Sequence, residues 1–404
     1  MGAGFGGLAA LAGLAVPGIH ATLVDRNSYS TFQPLLYQVA TAGLTSSDVA
    51  YPLWTAARKA KARFRKGEFA GLDTGSRQVL LADGAKLDYD YLIVATGVGA
   101  AFYGVTGAAE HSLSLYTRRD AITLRQHLMA ELESRSTGED HRELNIMIVG
   151  GGATGVELAG TVAELRNIAL PAAFPEIDPT RMHVRLVEMG PALLAPYHDT
   201  LRQYARSQLV KRGVDVRTGT TIKEIQPDRV LLADGEVVPT DLTVWAAGVA
   251  APQSGADWGL PRGHGGRICT GTDLRVDGQD RIFAVGDVAL IDGNALAQLA
   301  QPAIQQGRHA AAQVRRLIAS QPTRPFSYHD KGTMATIGHR SAVVQLPRRV
   351  RARGTVAWLA WLALHLVTLL GGRNRISALV NLSWRYLTWS RGGGVIVGDD
   401  LPEK

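Results

Sequence analysis

Short apolar runs that close in glycine alternate with longer stretches of helical spacing through most of the chain, which predicts parallel strands joined by crossover helices. The clearest instance lies at 145–160. Ile146, Met147, Ile148 and Val149 make a run suited to a strand buried on both faces. Gly150, Gly152 and Gly155 follow as G-x-G-x-x-G, and 156–165 continues with helical spacing. Glycines so placed permit a tight turn, close approach of backbone to a pyrophosphate, and close packing of helix on strand. The helix start turns free N–H groups and its positive dipole end toward phosphate. The next strand, read at 183–188, ends in Glu188, the acid expected to hold a ribose hydroxyl. It arrives later than the usual spacing of about twenty residues, a delay that the proline-containing loop at 167–179 accounts for. Strand, glycines, helix, strand and acid in this order predict a dinucleotide site.

The same plan stands earlier in the chain. Gly2, Gly4 and Gly7 form a second G-x-G-x-x-G, an apolar helix is expected from Leu8 to about Val16, and 21–25 reads as a strand ending in Asp25. Only Met1 precedes Gly2, so the first strand of this half is missing and the expected start lies upstream. Residues 1–16 are apolar but have no basic side chain before them, so a secretory leader is not expected. Gly6 stands where a myristoylation motif has Ser or Thr. Hairpins are expected at 79–88 and 230–239, and each precedes a strand that closes in glycine, at Ala95-Thr96-Gly97 and at Ala246-Ala247-Gly248. Glycine motif, acid-ended strand, hairpin and glycine-closed strand thus occur twice, an internal duplication independent of any single motif.

Between and after these units, composition changes the picture in four places. FQPLLYQVAT at 32–41 reads as an apolar, core-packing loop. The cationic run Arg58 to Lys66 reads as the solvated face of a helix. A strand at 281–285 runs into Gly286-Asp287, where a carboxylate can accept hydrogen bonds from a polyol such as the ribityl chain of a flavin; in isolation it would be a turn aspartate. Finally, 355–370 is apolar except for Thr355, His365 and Thr368, short of the ~18–20 residues needed to cross a bilayer. Arg348, Arg349, Arg351 and Arg353 precede it and Arg373 and Arg375 follow. Cations on both flanks predict a helix lying in the membrane interface, and 377–390 adds Leu379, Leu382, Trp384, Tyr386, Leu387 and Trp389. The competing reading is a buried core helix or a dimer contact.

At 404 residues the chain suits two or three domains. Its net charge of +7 gathers partly in the arginines near the C-terminus. No nucleic-acid module accompanies that charge, so no nucleic-acid partner is expected and an anionic membrane surface fits better. Cys269 is the single cysteine, which excludes an internal disulfide or a redox dithiol. No metal site is expected.

Together GFGG at 4–7, FQPLLYQVAT at 32–41, GGGATGVELAG at 150–160, VGDVA at 285–289, AQPAIQQG at 300–307, DKGTMATIG at 330–338 and AWLAWLALHL at 357–366 make the chain resemble type II NADH dehydrogenase, the non-proton-pumping NADH:quinone oxidoreductase of respiratory membranes. The resemblance runs from Gly2 to roughly Arg391, and the tail looks actinobacterial. It implies an α/β, two-dinucleotide-binding flavoprotein fold: two Rossmann-like domains plus C-terminal amphipathic membrane-anchoring helices. The implied segments are an FAD-binding domain at 1–112 and 269–330, an NADH-binding domain at 113–268, and a membrane-association region at 331–404. By resemblance, Gly2, Gly4, Gly7 and Asp25 would bind the ADP half of FAD, Asp287 the ribityl chain, and Pro34 would sit by the isoalloxazine ring, with Ala95, Gly97 and Gly286 also at the cofactor. Gly150, Gly152, Gly155, Glu188 and Gly248 would bind NADH, with Glu157 near the nicotinamide end. Gln301 and Gln305 match the family's AQxAxQxG quinone motif, and Lys331 is a candidate near the flavin or quinone.

The resemblance further implies menaquinone or ubiquinone as acceptor, a peripheral place on the cytoplasmic face of the bacterial inner membrane, and a possible homodimer. Among rivals, disulfide reductases and sulfide:quinone oxidoreductases need a cysteine pair that Cys269 alone cannot supply. A soluble NADH-dependent reductase of ferredoxin or rubredoxin keeps the fold without cysteines, and the amphipathic tail argues against it. A nucleotide-binding sensor has only the missing strand in its favour.

Overall fold

The computed structural model describes residues 1–388 apart from 139, 141, 252–257 and 294. The expected tail positions Tyr386, Leu387 and Trp389 lie outside the side chains described. By compactness the chain divides into two units, and at other points than the segments above: 1–31, 51–99 and 249–331 form one, and 32–50, 100–248 and 332–404 the other.

In the first unit, Thr22–Asp25 pairs in parallel with Arg63–Lys66, and Leu92–Val94 with Ile282–Ala284. Met1 and Gly2 run between these pairs. Gly2 N–H donates to the Val24 carbonyl (2.8 Å), the Met1 amine donates to the Ile93 carbonyl (2.8 Å), and Ala95 N–H donates to the Met1 carbonyl (2.7 Å). These two residues therefore occupy the central-strand position. The helix Phe5–Leu14 packs on Ala300–Ile318 through small residues: a Cβ on Gly307 would lie 2.1 Å from the Gly6 carbonyl oxygen, and one on Gly13 would lie 2.7 Å from the Ala311 methyl. A three-stranded meander, Phe69–Asp73, Gln78–Leu81 and Lys86–Asp88, closes over a core that includes Val24, Val94, Ile268 and Ile282. The cationic run is not one helix. Leu53–Lys59 is helical, with Arg58 and Lys59 at the favourable negative end of its dipole. Lys61 then adopts φ 53°, and 63–66 becomes a strand.

The second unit holds a five-stranded parallel sheet in the order Leu113–Ser114, Leu242–Trp245, Leu144–Val149, Met182–Glu188, Val214–Thr218. Its central strand carries fully buried Met147 and Ile148, as a run apolar on both faces requires. The helix Arg118–Ser136 opens with a capping box: Asp120 N–H donates to Thr117 Oγ1 (3.1 Å), and Thr117 N–H to Asp120 Oδ2 (2.9 Å). A second meander, Ile222–Ile225, Arg229–Leu232 and Val237–Pro239, matches that of the first unit.

Two loops expected from the sequence are partly helical. At 167–179 the chain continues from a π turn, Leu165–Ala169, into Leu170–Ala173, with Pro171 in the first turn where no N–H is needed. At 32–41 a 3₁₀ turn, Gln33–Leu35, leads into the helix Leu36–Ala40, all buried from Leu35 onward. Core packing is right there, but the conformation is not a loop.

An antiparallel sheet, Thr333–Gly338, Ser341–Gln345 and Arg351–Arg353, is followed by two tail helices, Thr355–Thr368 and Gly372–Thr388. The helix Ala153–Glu164 lies on Thr333–Gly338, where an added Cβ at Gly160 would stand 2.1 Å from the Ile337 carbonyl oxygen. Gly160→Ala should therefore destabilise the protein by about 1–3 kcal/mol, read as a lower thermal midpoint. An unchanged midpoint would show that this helix and strand can move apart freely.

Candidate active site

The two glycine motifs have the same geometry, hydrogen bond for hydrogen bond. Gly2 (φ 90°) and Gly150 (φ 113°) open the turn of each motif, in a region only glycine enters freely. Gly2 N–H reaches the Val24 carbonyl and Gly150 N–H the Val187 carbonyl, each at 2.8 Å. A Cβ on Gly7 would meet the Gly2 carbonyl oxygen at 1.9 Å, and one on Gly155 the Gly150 carbonyl oxygen at 1.8 Å. By contrast, nothing lies within 4 Å of a Cβ built on Gly4 or Gly152, the helix N-caps. Third glycines seal helix to turn; second glycines leave open room above a helix N-terminus, the place a diphosphate would take.

The two acids repeat as well. Asp25 accepts from Ala3 N–H at Oδ2 (2.7 Å) and from Asn27 N–H at Oδ1 (2.7 Å). Glu188 accepts from Gly151 N–H at Oε2 (2.5 Å) and from Gly190 N–H at Oε1 (2.6 Å). Each carboxylate thus ties the residue after its first glycine to the residue two beyond itself.

In the first unit, Ala95 backs the turn, its carbonyl oxygen 2.3 Å from where a Gly2 Cβ would be, and Gly97 has φ 70°. Gly286 has φ 75° and gives its N–H to Gln306 Oε1 at 2.5 Å. Asp287 follows, half-buried, in the turn Gly286–Val288. Buried Arg267, whose Nε donates to the Ala289 carbonyl (2.9 Å), feels the Asp287 charge while burial lowers its pKa. Gln301 and Gln305 lie on the helix Ala300–Ile318. Gln305 spends both halves of its amide on one residue, donating to the His329 carbonyl (2.9 Å) and accepting its N–H (3.0 Å). Lys331 is exposed at the end of this unit.

Pro34, Gly150, Gly152, Gly155, Glu157, Glu188 and Gly248 belong to the second unit. Gly248 accepts from Ala101 N–H (3.1 Å), and Tyr103 Oη lies 2.2 Å from where its Cβ would be. Glu157 is buried on the inner face of the motif helix, and its Oε1 accepts from Thr336 N–H at 3.2 Å. Burial raises its pKa to about 8, against smaller lowering by that N–H and by the nearby Trp361 side chain. It is neutral at pH 7.

Sequence reasoning missed the groups around Glu157. Trp361, 1% exposed, stacks on His365 (centroids 4.1 Å apart) and tilts against Tyr37 (6.2 Å). His365 has its pKa pushed down to about 4 by burial, and its Nδ1 lies 2.7 Å from the Trp361 carbonyl, which fixes the Nδ1–H tautomer. Tyr197, whose pKa is raised chiefly by burial, bonds Thr333 Oγ1 at 2.9 Å. The first tail helix therefore turns Trp358 and Trp361 inward, while Val356, Leu359, Leu364 and Val367 stay exposed. Their spacing at i, i+3 was the available clue.

A model of the pyridine nucleotide-disulphide oxidoreductase family matches residues 1–307. The type II NADH:quinone oxidoreductase Ndh of Mycobacterium tuberculosis is 34% identical, the match covering 97% of this chain and 88% of that protein. The chain belongs to this family. Among solved structures, NDH2 of Plasmodium falciparum in complex with NADH superposes with a TM-score of 0.89 at 18% identity, covering 97% of this chain and 98% of that one. The sulfide:quinone oxidoreductase of Aquifex aeolicus follows at 0.77 and 19%, covering 96% and 94%, and shares the fold. Among the described residues no group of side chains could hold a metal ion.

The neutral Glu157 has a consequence for stability. Its folded pKa is raised, so between about pH 4.5 and about pH 8 the unfolded chain loses a proton that the folded chain keeps. That contribution is full below pH 4.5 and is lost as pH rises through 8. Wild type should lose stability relative to Glu157→Gln across this window, read as a fall in the wild-type thermal midpoint minus that of the variant between pH 5 and pH 8.5. A difference independent of pH would place an ionised carboxylate at 157.

Proposed function

We infer that this protein oxidises NADH and reduces a membrane quinone, with FAD at the first glycine cradle and NADH at the second. The repeated cradle carries the reading: two open helix N-termini, each backed by a hydrogen-bonded acid, suit two dinucleotides and little else. Bound FAD supplies the chemistry, accepting a hydride from NADH and passing two electrons to quinone. The residues bind and orient. Gly2, Gly4, Gly7 and Asp25 hold the ADP half of FAD, Asp287 faces its ribityl chain, Ala95, Gly97 and Gly286 line its path, and Pro34 meets its ring. Gly150, Gly152, Gly155, Glu188 and Gly248 hold NADH.

No general base is needed to move a hydride, but quinone reduction takes up two protons. Glu157 keeps a proton on its carboxyl at pH 7 and is the group we assign to supply one. Gln301 we assign to the quinone. Gln305, committed to the His329 backbone, holds the segment leading to Lys331. Half-buried Cys269 has its thiol pKa pushed up by burial and stands alone, which counts against sulfide or disulfide chemistry.

We place the protein on the cytoplasmic face of the bacterial inner membrane, where menaquinone or ubiquinone is reached from the lipid. Among the described residues no helix is long and apolar enough to cross a membrane. The outward side chains of the tail helices, including Val356, Val367, Ile376 and Trp384, are apolar and flanked by exposed Arg348, Arg349, Arg351 and Arg373, as suits an anionic interface. A homodimer through the tail is part of the same reading.

Purified protein carrying flavin should be bleached by NADH under anaerobic conditions far faster than by NADPH, because Glu188 repels a 2′-phosphate. Glu188→Ser should raise the NADPH-to-NADH ratio of kcat/KM by about tenfold or more, a change of about 1.4 kcal/mol. Equal bleaching by both nucleotides in wild type would contradict the assigned role of Glu188.

A further inference from the structure

The second tail helix, Gly372–Thr388, is amphipathic the wrong way round for a soluble protein. Its side chains toward the 32–50 segment are mostly polar, and those toward solvent include Ile376, Leu379, Val380 and Trp384. Asn374, Ser377, Asn381 and Arg385 recur at spacings of three and four, so they share one face. Each finds a partner in 38–50. Asn374 Nδ2 donates to the Ala50 carbonyl (2.8 Å), Ser377 Oγ to Asp48 Oδ1 (2.5 Å), Asn381 Nδ2 to Asp48 Oδ2 (2.8 Å), and Arg385 Nη1 to Gln38 Oε1 (2.6 Å).

Asp48 and Gln38 are themselves buried, at 3% and 2% exposure. Asp48 Oδ2 also accepts from Thr45 N–H (2.9 Å), and Gln38 Nε2 donates to Tyr37 Oη (3.0 Å). Gly43 leaves the space that the Arg385 guanidinium fills, since its Cβ would stand only 1.6 Å from Nη1. The first tail helix grips the front of the same segment through rings: Phe32 lies edge-on to His365 and Tyr37 tilts against Trp361, both with centroids 6.2 Å apart. In the sequence Pro34 falls between the two residues, Phe32 and Tyr37, that make those contacts. A turn-capping role for Asp48 needs only the Thr45 bond and leaves the two helix bonds unexplained.

We propose that Asp48 and Gln38 are positioning residues for quinone reduction: through them, the seating of the second tail helix sets the shape of the segment that carries Pro34. The proposal rests on the reading of Pro34 as a flavin neighbour. Four polar side chains carry the helix's hydrogen bonds to this segment, beside buried Ala378 and Leu382, and the lipid that covers its exposed apolar side chains should complete its seating.

The test compares wild type, Asp48→Asn, Asn381→Asp and the double swap, each in liposomes of mixed neutral and anionic lipid with a short-chain quinone. The probes are anaerobic flavin reduction by NADH and steady-state quinone reduction. Asp48→Asn should raise the KM for quinone at least threefold and leave NADH-driven flavin reduction within a factor of two. The double swap, which restores a carboxylate–carboxamide pair, should recover most of the loss. Loss in both probes without recovery by the swap, or no change in either, would overturn the proposal. Should Asp48→Asn fail to fold, Ser377→Ala with Asn381→Ala removes the same two bonds from the helix side, and the same split is expected. Failure of wild type itself to reduce quinone would sink the underlying assignment instead, and is distinguishable.

Discussion

At Gly7 and Gly155 a helix backbone lies against the carbonyl of the turn before it with no room for a methyl group. Everything that a dinucleotide would use follows from that approach. It fixes where the helix N-terminus points, leaves the second glycine open, and brings the residue after the first glycine within reach of the acid at the next strand end. Asp25 and Glu188 then lock turn to strand through two backbone N–H groups each. A side chain at either seal would displace the helix and with it the anion site, so the constraint is steric first and electrostatic second.

Small residues do the same work away from the cradles. Gly307 against Gly6, Gly13 against Ala311 and Gly160 against Ile337 let elements approach to backbone contact. The last of these brings Thr336 N–H to the Glu157 carboxyl. Burial there costs more than one hydrogen bond returns, so the carboxyl holds its proton at neutral pH. A carboxyl kept neutral by packing is a stored proton rather than a fixed charge.

Much of this was legible in the sequence because glycine spacing, acid placement and apolar runs are local. Gly150, Gly152, Gly155 and Glu188 could be read with their hydrogen-bonding logic before any coordinates. Long-range pairings could not. Nothing around Asp48 announces Ser377 and Asn381, more than three hundred residues away, and nothing local to Trp361 announces its contact with Tyr37. The 32–41 segment reads as a loop from its composition, and Pro34 early in the 3₁₀ turn is no obstacle to helix because a proline there costs no hydrogen bond. At 58–66 charge masked a change of state: the residues are cationic throughout, but backbone at Lys61 switches helix to strand.

The most direct measurement is NADH-dependent quinone reduction by the flavin-loaded protein in liposomes, with the flavin absorbance followed in the same cuvette. The account requires NADH oxidation matched mole for mole by quinone loss, with flavin bleached by NADH and restored by quinone. Flavin that NADH bleaches but quinone cannot restore, or protein prepared with FAD that binds none, would contradict it.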